Sequence, residues 1–134
     1  MKPIIIYGPQ SSGKSFLAKT ISMGFENPVF INGRKNKLFH DPWLYSEVNE
    51  RTDLIVFSDT LARNLRGLVY LLEEQKIVVQ FPEKPDKIYP LPKVIVEGDL
   101  DKLYLLHNFK DRAKLIECWY GNYFSFQVKS NPDV

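Results

Sequence analysis

Short apolar runs alternate along this chain with amphipathic stretches, and the alternation predicts strands and helices in turn. Pro3-Ile4-Ile5-Ile6-Tyr7 reads as a buried strand, and Phe16 to Met23 as a helix that Gly24 can end. Pro28 to Asn32 predicts a second strand, closed by Gly33. Residues Arg34 to Asn49 are weakly patterned, with a short helix expected from Asp41 over Pro42 to Val48. Leu54-Ile55-Val56-Phe57 is a third apolar run, ending in the polar pair Ser58-Asp59. The strongest amphipathic signal comes next: Leu61, Leu65, Leu68, Val69 and Leu72 share one helical stripe, with Ser58 or Asp59 placed to cap it. Lys76 to Phe81 predicts a strand, and the four prolines of Pro82 to Pro92 a loop or an extended edge. Lys93 to Val96 predicts a further strand, followed by Glu97-Gly98-Asp99. Leu100 to Trp119 reads as helix, broken near Asn108, and Tyr123 to Val128 as a last strand. Strands alternating with helices predict an α/β fold, three-layer α/β/α with a mainly parallel sheet.

Composition narrows this to one core. With 134 residues, 44% of them hydrophobic, residues 1–134 are expected to form a single domain. A formal net charge of +2 does not by itself call for nucleic acid. The single cysteine, Cys118, excludes an internal disulfide and lies in the apolar run Leu115 to Trp119, where a core thiol is expected. No Cys/His cluster has metal-ligand spacing. A reducing, cytoplasmic setting is the expectation. The longest apolar runs fall far short of the roughly 20 residues that span a bilayer, and the first strand begins without a signal-like leader, so neither membrane insertion nor secretion is expected.

Chemistry enters between the first strand and the first helix. Gly8-Pro9-Gln10-Ser11-Ser12-Gly13-Lys14-Ser15 satisfies every fixed position of the phosphate-binding pattern G-x-x-x-x-G-K-[ST], in the strand, loop, helix setting that the pattern requires. Gly8 and Gly13 let the main chain curl close to a phosphate, and the amides leading into Phe16 favour an anion at the helix start. Lys14 is placed to reach the outer phosphates as a mobile charge. The Ser15 hydroxyl is placed to take one position on Mg²⁺, which prefers oxygen ligands. The expected ligand is therefore ATP with Mg²⁺, bound by Gly8, Pro9, Gln10, Ser11, Ser12, Gly13, Lys14, Ser15 and Phe16. A metal held this way also needs a carboxylate at the end of another apolar strand, and Asp59 fits. One register puts Ser58 at the metal and Asp59 beside the attacking water; the other puts Asp59 at the metal and Thr60 where a base belongs. Either way one acid is missing, and Asp59 can equally serve as a helix cap.

The order of elements, with the loop at Gly8 to Ser15, an acid-ended strand at Leu54 to Asp59 and a further strand at Lys93 to Asp99, resembles the P-loop NTPases of the additional-strand group, which includes AAA+ ATPases and superfamily 3 helicases. The resemblance implies that Lys93 to Asp99 is the strand carrying a polar sensor residue. Pro92 to Asp99 follows the helicase outline with Asp99 in place of an Asn. For Glu97 and Asp99 a solvated strand end or helix cap is the favoured reading over a sensor. The resemblance further implies an arginine reaching the site from a neighbouring subunit, for which Arg112 is the leading candidate by position and Arg63 and Arg66 are others. The helical lid that AAA+ proteins place after the core is not expected.

The expected function is thus ATP binding with Mg-dependent hydrolysis, with Lys14, Asp59 and Arg112 as catalytic residues and Ser15 and Asp59 on the metal. The domain would serve as motor or switch in a nucleic-acid-processing or remodelling assembly, as a homo-oligomer or beside a partner subunit. ATP is expected over GTP because the only Asn-Lys, Asn36-Lys37, lacks the Asp of a guanine-reading motif. Nucleic acid could be met by Arg34, Lys35 and Lys37 with Phe39, His40 and Trp43, or by Lys84, Lys87 and Tyr89; a solvated basic turn is the simpler reading of each. His40 and His107 are assigned no catalytic role. A small kinase, with Asp59 taking a proton from a substrate hydroxyl, and a non-catalytic nucleotide-binding module are the alternatives.

Overall fold

In a computed structural model describing residues 2–35, 38–120 and 126–130, the core is a six-stranded sheet. Its strands are β1 (Ile4–Tyr7), β2 (Pro28–Asn32), β3 (Leu54–Ser58), β6 (Lys93–Gly98), β7 (Lys114–Tyr120) and β8 (Phe126–Ser130). They lie in the order β2-β3-β6-β1-β7-β8. The first five in that order are mutually parallel, and β8 is antiparallel to β7. The fold is α/β with a mainly parallel sheet, and β6 lies between β1 and β3.

β1, β3 and β6 are near-continuous apolar runs because both of their faces are covered. Along β1, Ile5 and Tyr7 join one core and Ile6 the other. Ile6, Leu54, Val56, Ile95, Ile116 and Cys118 pack with Leu17, Ala18 and Ile21 of α1 (Lys14–Ser22). On the other face, Ile5, Ile55, Phe57, Val94, Val96 and Leu115 share a core with Leu65, Leu68 and Leu71 of α2 (Leu65–Glu74) and Leu105 and Phe109 of α3 (Lys102–Phe109). No helix among the described residues is long and apolar enough to cross a membrane.

Between α2 and β6 the chain makes a two-stranded antiparallel sheet, β4 (Lys76–Phe81) with β5 (Lys84–Pro90). The proline-rich stretch is therefore an extended edge. Pro85 and Pro90 sit near the ends of β5, where missing ladder donors cost least. Ile77 and Val79 anchor this hairpin in the larger core.

Three expectations require correction. The Leu100 to Trp119 segment is helical only over Lys102–Phe109; Leu115 to Trp119 belongs to β7 and pairs with β1. A short apolar run cannot by itself distinguish a buried strand from a helix, and here the parallel partner decides. Neither Ser58 nor Asp59 caps the following helix. Ser58 ends β3, a 3-10 turn at Ala62–Asn64 intervenes, and α2 starts at Leu65 without a side-chain cap. The segment from Pro42 forms only a 3-10 turn, Pro42–Tyr45, although Asp41 caps it as expected by accepting from the Trp43 N–H. Part of the expected last strand lies outside the described residues, as do Asn36 and Lys37.

Candidate functional site

The loop from Gly8 to Ser15 leaves the carboxyl end of β1 and enters α1. Gly8 adopts φ +154°, and a Cβ there would lie 2.1 Å from the Cys118 carbonyl oxygen of β7, so the strand-to-loop turn needs glycine. Gly13 stands at the N-cap of α1 with φ +91°, and no side chain caps the helix. Its first turn holds no acidic residue, which leaves the positive end of the helix dipole facing the loop. Ser12 is 1% exposed, its Oγ has no hydrogen-bond partner among the described residues, and a Cβ on Gly8 would meet that Oγ at 3.0 Å. A buried hydroxyl donor is thus aimed into the turn of the loop. Lys14 is largely buried, and its Nζ donates to the Pro9 carbonyl at 2.7 Å, which holds the ammonium over the loop. Pro9, Gln10, Ser11 and Phe16 are exposed around this turn.

The carboxylate facing α1 comes from an unexpected strand. Ile95 and Glu97 share a face of β6 because side chains alternate, and Ile95 packs on the α1 side. Glu97, in register with Ile6, therefore projects toward the start of α1. It is 1% exposed. Its Oε2 accepts from the Ser15 hydroxyl at 3.1 Å, and its Oε1 accepts from the Asp59 N–H. The expectation of a solvated strand end or cap at Glu97 is corrected by this burial. Asp99 is exposed, and the cap of α3 is Asp101, which accepts from the Leu103 N–H at 3.2 Å. The signal for Glu97 is in the sequence: Val94-Ile95-Val96 is followed by an acid, just as Leu54 to Ser58 is followed by Asp59.

Asp59 is turned elsewhere. Its backbone is left-handed, φ +50°, and its carboxylate meets Arg34 at 3.4 Å with both side chains more than half exposed. The neighbouring Thr60 is wedged between the ends of β2 and β6. Its N–H donates to the Glu97 carbonyl at 2.8 Å, and Cβ atoms on Gly33 or Gly98 would each come within 2.3 Å of Thr60 atoms. Glycines on both sides thus let the strand ends close around Thr60 and fix Glu97.

Cys118 is fully buried beside Gly8, as its apolar run predicts. Burial pushes its thiol up, Lys14 pulls it down and Glu97 pushes it up, so both charges act on the same strand ends. A cavity of about 440 Å³ opens on the β7 side of the loop, lined by Tyr7, Gly8, Pro9, Glu117 and Trp119 among others. Lys102 and Glu117 pair there at 3.0 Å.

The arginines are dispersed. Arg112 lies in the turn before β7, where the Lys114 N–H donates to the Pro3 carbonyl at the amino end of β1, and its guanidinium meets Glu73 at 3.3 Å. With β1 rising roughly 3.3 Å per residue, Arg112 lies at the amino end of the parallel strands, opposite the carboxyl end from which the loop of its own chain leaves. Arg63 and Arg66 are exposed on the 3-10 turn and on α2. Of the basic and aromatic groups, Phe39 is 2% exposed and packs edge-on against Phe57, so it belongs to the core and offers no stacking face. Trp43 is exposed, and His40 faces Tyr70. Lys84 and Lys87 are exposed on β5, while Tyr89 packs against the core.

The arrangement groups backbone and hydroxyl donors, one ammonium and one buried carboxylate around a glycine-lined turn. Oxygen donors from Ser15 and Glu97 suit a hard cation such as Mg²⁺. Ser12, Lys14 and the helix start suit a phosphate. Neither a protein-family model nor a curated protein matches the chain.

Proposed function

We propose that the chain binds Mg-ATP at the Gly8 to Ser15 loop and hydrolyses it, as a domain of the additional-strand P-loop kind with three layers. The observation that carries this reading is the unpartnered, buried Ser12 hydroxyl aimed into a turn that already holds Lys14 and the uncapped start of α1. An anion is the ligand that such donors lack. The position of β6 between β1 and β3, and the division of helices between the two sheet faces, support the additional-strand reading.

Lys14 and the loop amides bind and orient the phosphates, and Gly8 lets the main chain approach them. Bound Mg²⁺ supplies Lewis acidity toward the phosphoryl oxygens. Ser15 presents a hydroxyl to the metal side, and Glu97 is the strand-end carboxylate that meets it, whereas the Asp59 carboxylate expected there pairs with Arg34. Arg112 is out of reach of its own loop, so it serves catalysis only across a subunit interface, in a homo-oligomer or beside a partner. Exposed Lys84 and Lys87 support a nucleic-acid partner for the motor or switch role, and the free buried thiol of Cys118 suits a reducing cytoplasm.

The deciding experiment is titration calorimetry of Mg-ATP into the wild type and Lys14→Ala. Removing one charged donor to phosphate should weaken binding by about 10- to 100-fold while circular dichroism stays unchanged. Equal affinity in the folded variant overturns the proposal.

A further inference from the structure

We infer that Glu97, and not Asp59, is the carboxylate of the metal side of this loop, acting as a positioning residue for Ser15. The inference rests on the proposed nucleotide reading. Sequence pattern points to Asp59, because it ends the strand from which a phosphate-binding loop ordinarily takes its acid. The geometry points to the next strand of the sheet.

Glu97 alone of the two meets the loop. Its Oε2 accepts the Ser15 proton at 3.1 Å, across 82 residues of chain. With that proton committed to Glu97, the Ser15 oxygen keeps its lone pairs for a cation. The carboxylate also brings negative charge to within one hydrogen bond of that oxygen. It is held there at its other end, since Oε1 accepts from the Asp59 N–H while Thr60 locks the β6 terminus between two glycines. A side chain 1% exposed and anchored at both oxygens is preorganised. Asp59 has the opposite character: its carboxylate is exposed and shared with Arg34, whose charge offsets it. What Asp59 gives the site is its main-chain N–H, which fixes Glu97. The one acid that the strand-end pattern of Asp59 leaves missing is thereby supplied from β6.

The test uses the wild type, Glu97→Gln and Asp59→Asn with ADP and Mn²⁺ as probes. Glutamine keeps an oxygen acceptor for the Asp59 N–H, but it removes the charge and puts an NH2 donor where Oε2 accepts from the Ser15 hydroxyl. Electron paramagnetic resonance of Mn²⁺ should show 10- to 100-fold weaker metal binding to the ADP complex of Glu97→Gln, the usual effect of removing a ligand's orienting partner. ADP affinity measured in chelator should stay at the wild-type value in both variants, and Asp59→Asn should hold Mn²⁺ as the wild type does. A metal defect in Asp59→Asn with none in Glu97→Gln overturns the inference and leaves nucleotide binding standing. Should Glu97→Gln fail to fold, wild-type crystals grown with Mn²⁺ and ADP decide: an anomalous peak nearer the Glu97 carboxylate than the Asp59 carboxylate supports the inference, and the reverse overturns it. A wild type that binds ADP equally with and without metal overturns the inference alone, whereas one that binds no nucleotide overturns the proposed function as well.

Discussion

Ser15 in the first turn of α1 donates its hydroxyl proton to the buried carboxylate of Glu97 at the end of β6, 3.1 Å away. The contact ties the Gly8 to Ser15 loop to β6, the strand beside β1. It exists because three separate devices agree: alternation along β6 turns Glu97 toward α1, glycines at 33 and 98 admit Thr60, and the left-handed turn at Asp59 presents its N–H to the same carboxylate.

Gly8→Ala should damage both stability and ligand binding. The added Cβ would stand 2.1 Å from the Cys118 carbonyl, a contact that only a shift of the loop or of β7 can relieve. Overpacking of this kind costs about 1–3 kcal/mol. Urea unfolding should show that loss, and calorimetry should show weaker Mg-ATP binding. A variant with wild-type midpoint and affinity would mean that the loop is laid out differently.

Substitutions at Asp59 should separate backbone from side chain. Its φ of +50° is tolerated by asparagine and disfavoured for alanine, so Asp59→Ala should be less stable than Asp59→Asn by about 1 kcal/mol. The exposed pair with Arg34 should contribute less than about 1 kcal/mol. Chemical denaturation of the two variants measures both quantities, and equal stabilities would contradict the left-handed turn.

Tyr7 should make stability fall in alkali. Burial, and then the Glu117 carboxylate, push its phenol up to about 12 from 10.0. The folded state thus keeps a proton that the unfolded chain gives up sooner, so the contribution is intact below about pH 10 and is lost as pH rises toward about 12. At about 1.4 kcal/mol per tenfold change, the loss approaches 3 kcal/mol. Tyr7→Phe lacks this proton. The stability of the wild type relative to Tyr7→Phe should therefore be constant below about pH 10 and decline above it. Parallel curves throughout would remove Tyr7 as the cause.

Arg112→Ala should matter to turnover and hardly to folding. Its pair with Glu73 is half-exposed, which limits the stability change to about 1 kcal/mol or less. If a neighbouring subunit's arginine completes the site, phosphate release per chain should rise with protein concentration in the wild type. In the assembled variant it should fall by about 10³-fold, with nucleotide affinity retained. Phosphate release and light scattering across a dilution series measure this. Specific activity that is independent of concentration in a monomer would sink the shared-site model.

The parts determined by sequence alone are those in which neighbouring residues suffice. Pro28 to Asn32 and Lys76 to Phe81 are strands with the expected limits, and the Gly8 to Ser15 turn lies between a strand and a helix, because apolar runs, turn residues and glycine conformations act locally. Tertiary structure decided the rest. Leu115 to Trp119 became a strand because β1 offered a parallel edge, a partner more than a hundred residues distant in sequence. Asp59 and Glu97 present the same local signal, an acid after an apolar run, and nothing nearby in sequence distinguishes them. Strand order places β6, not β3, beside β1, and a left-handed turn swings Asp59 out to Arg34 while alternation swings Glu97 in to Ser15. Which carboxylate faces the loop is a property of sheet order and face, and those are fixed only when distant strands pair.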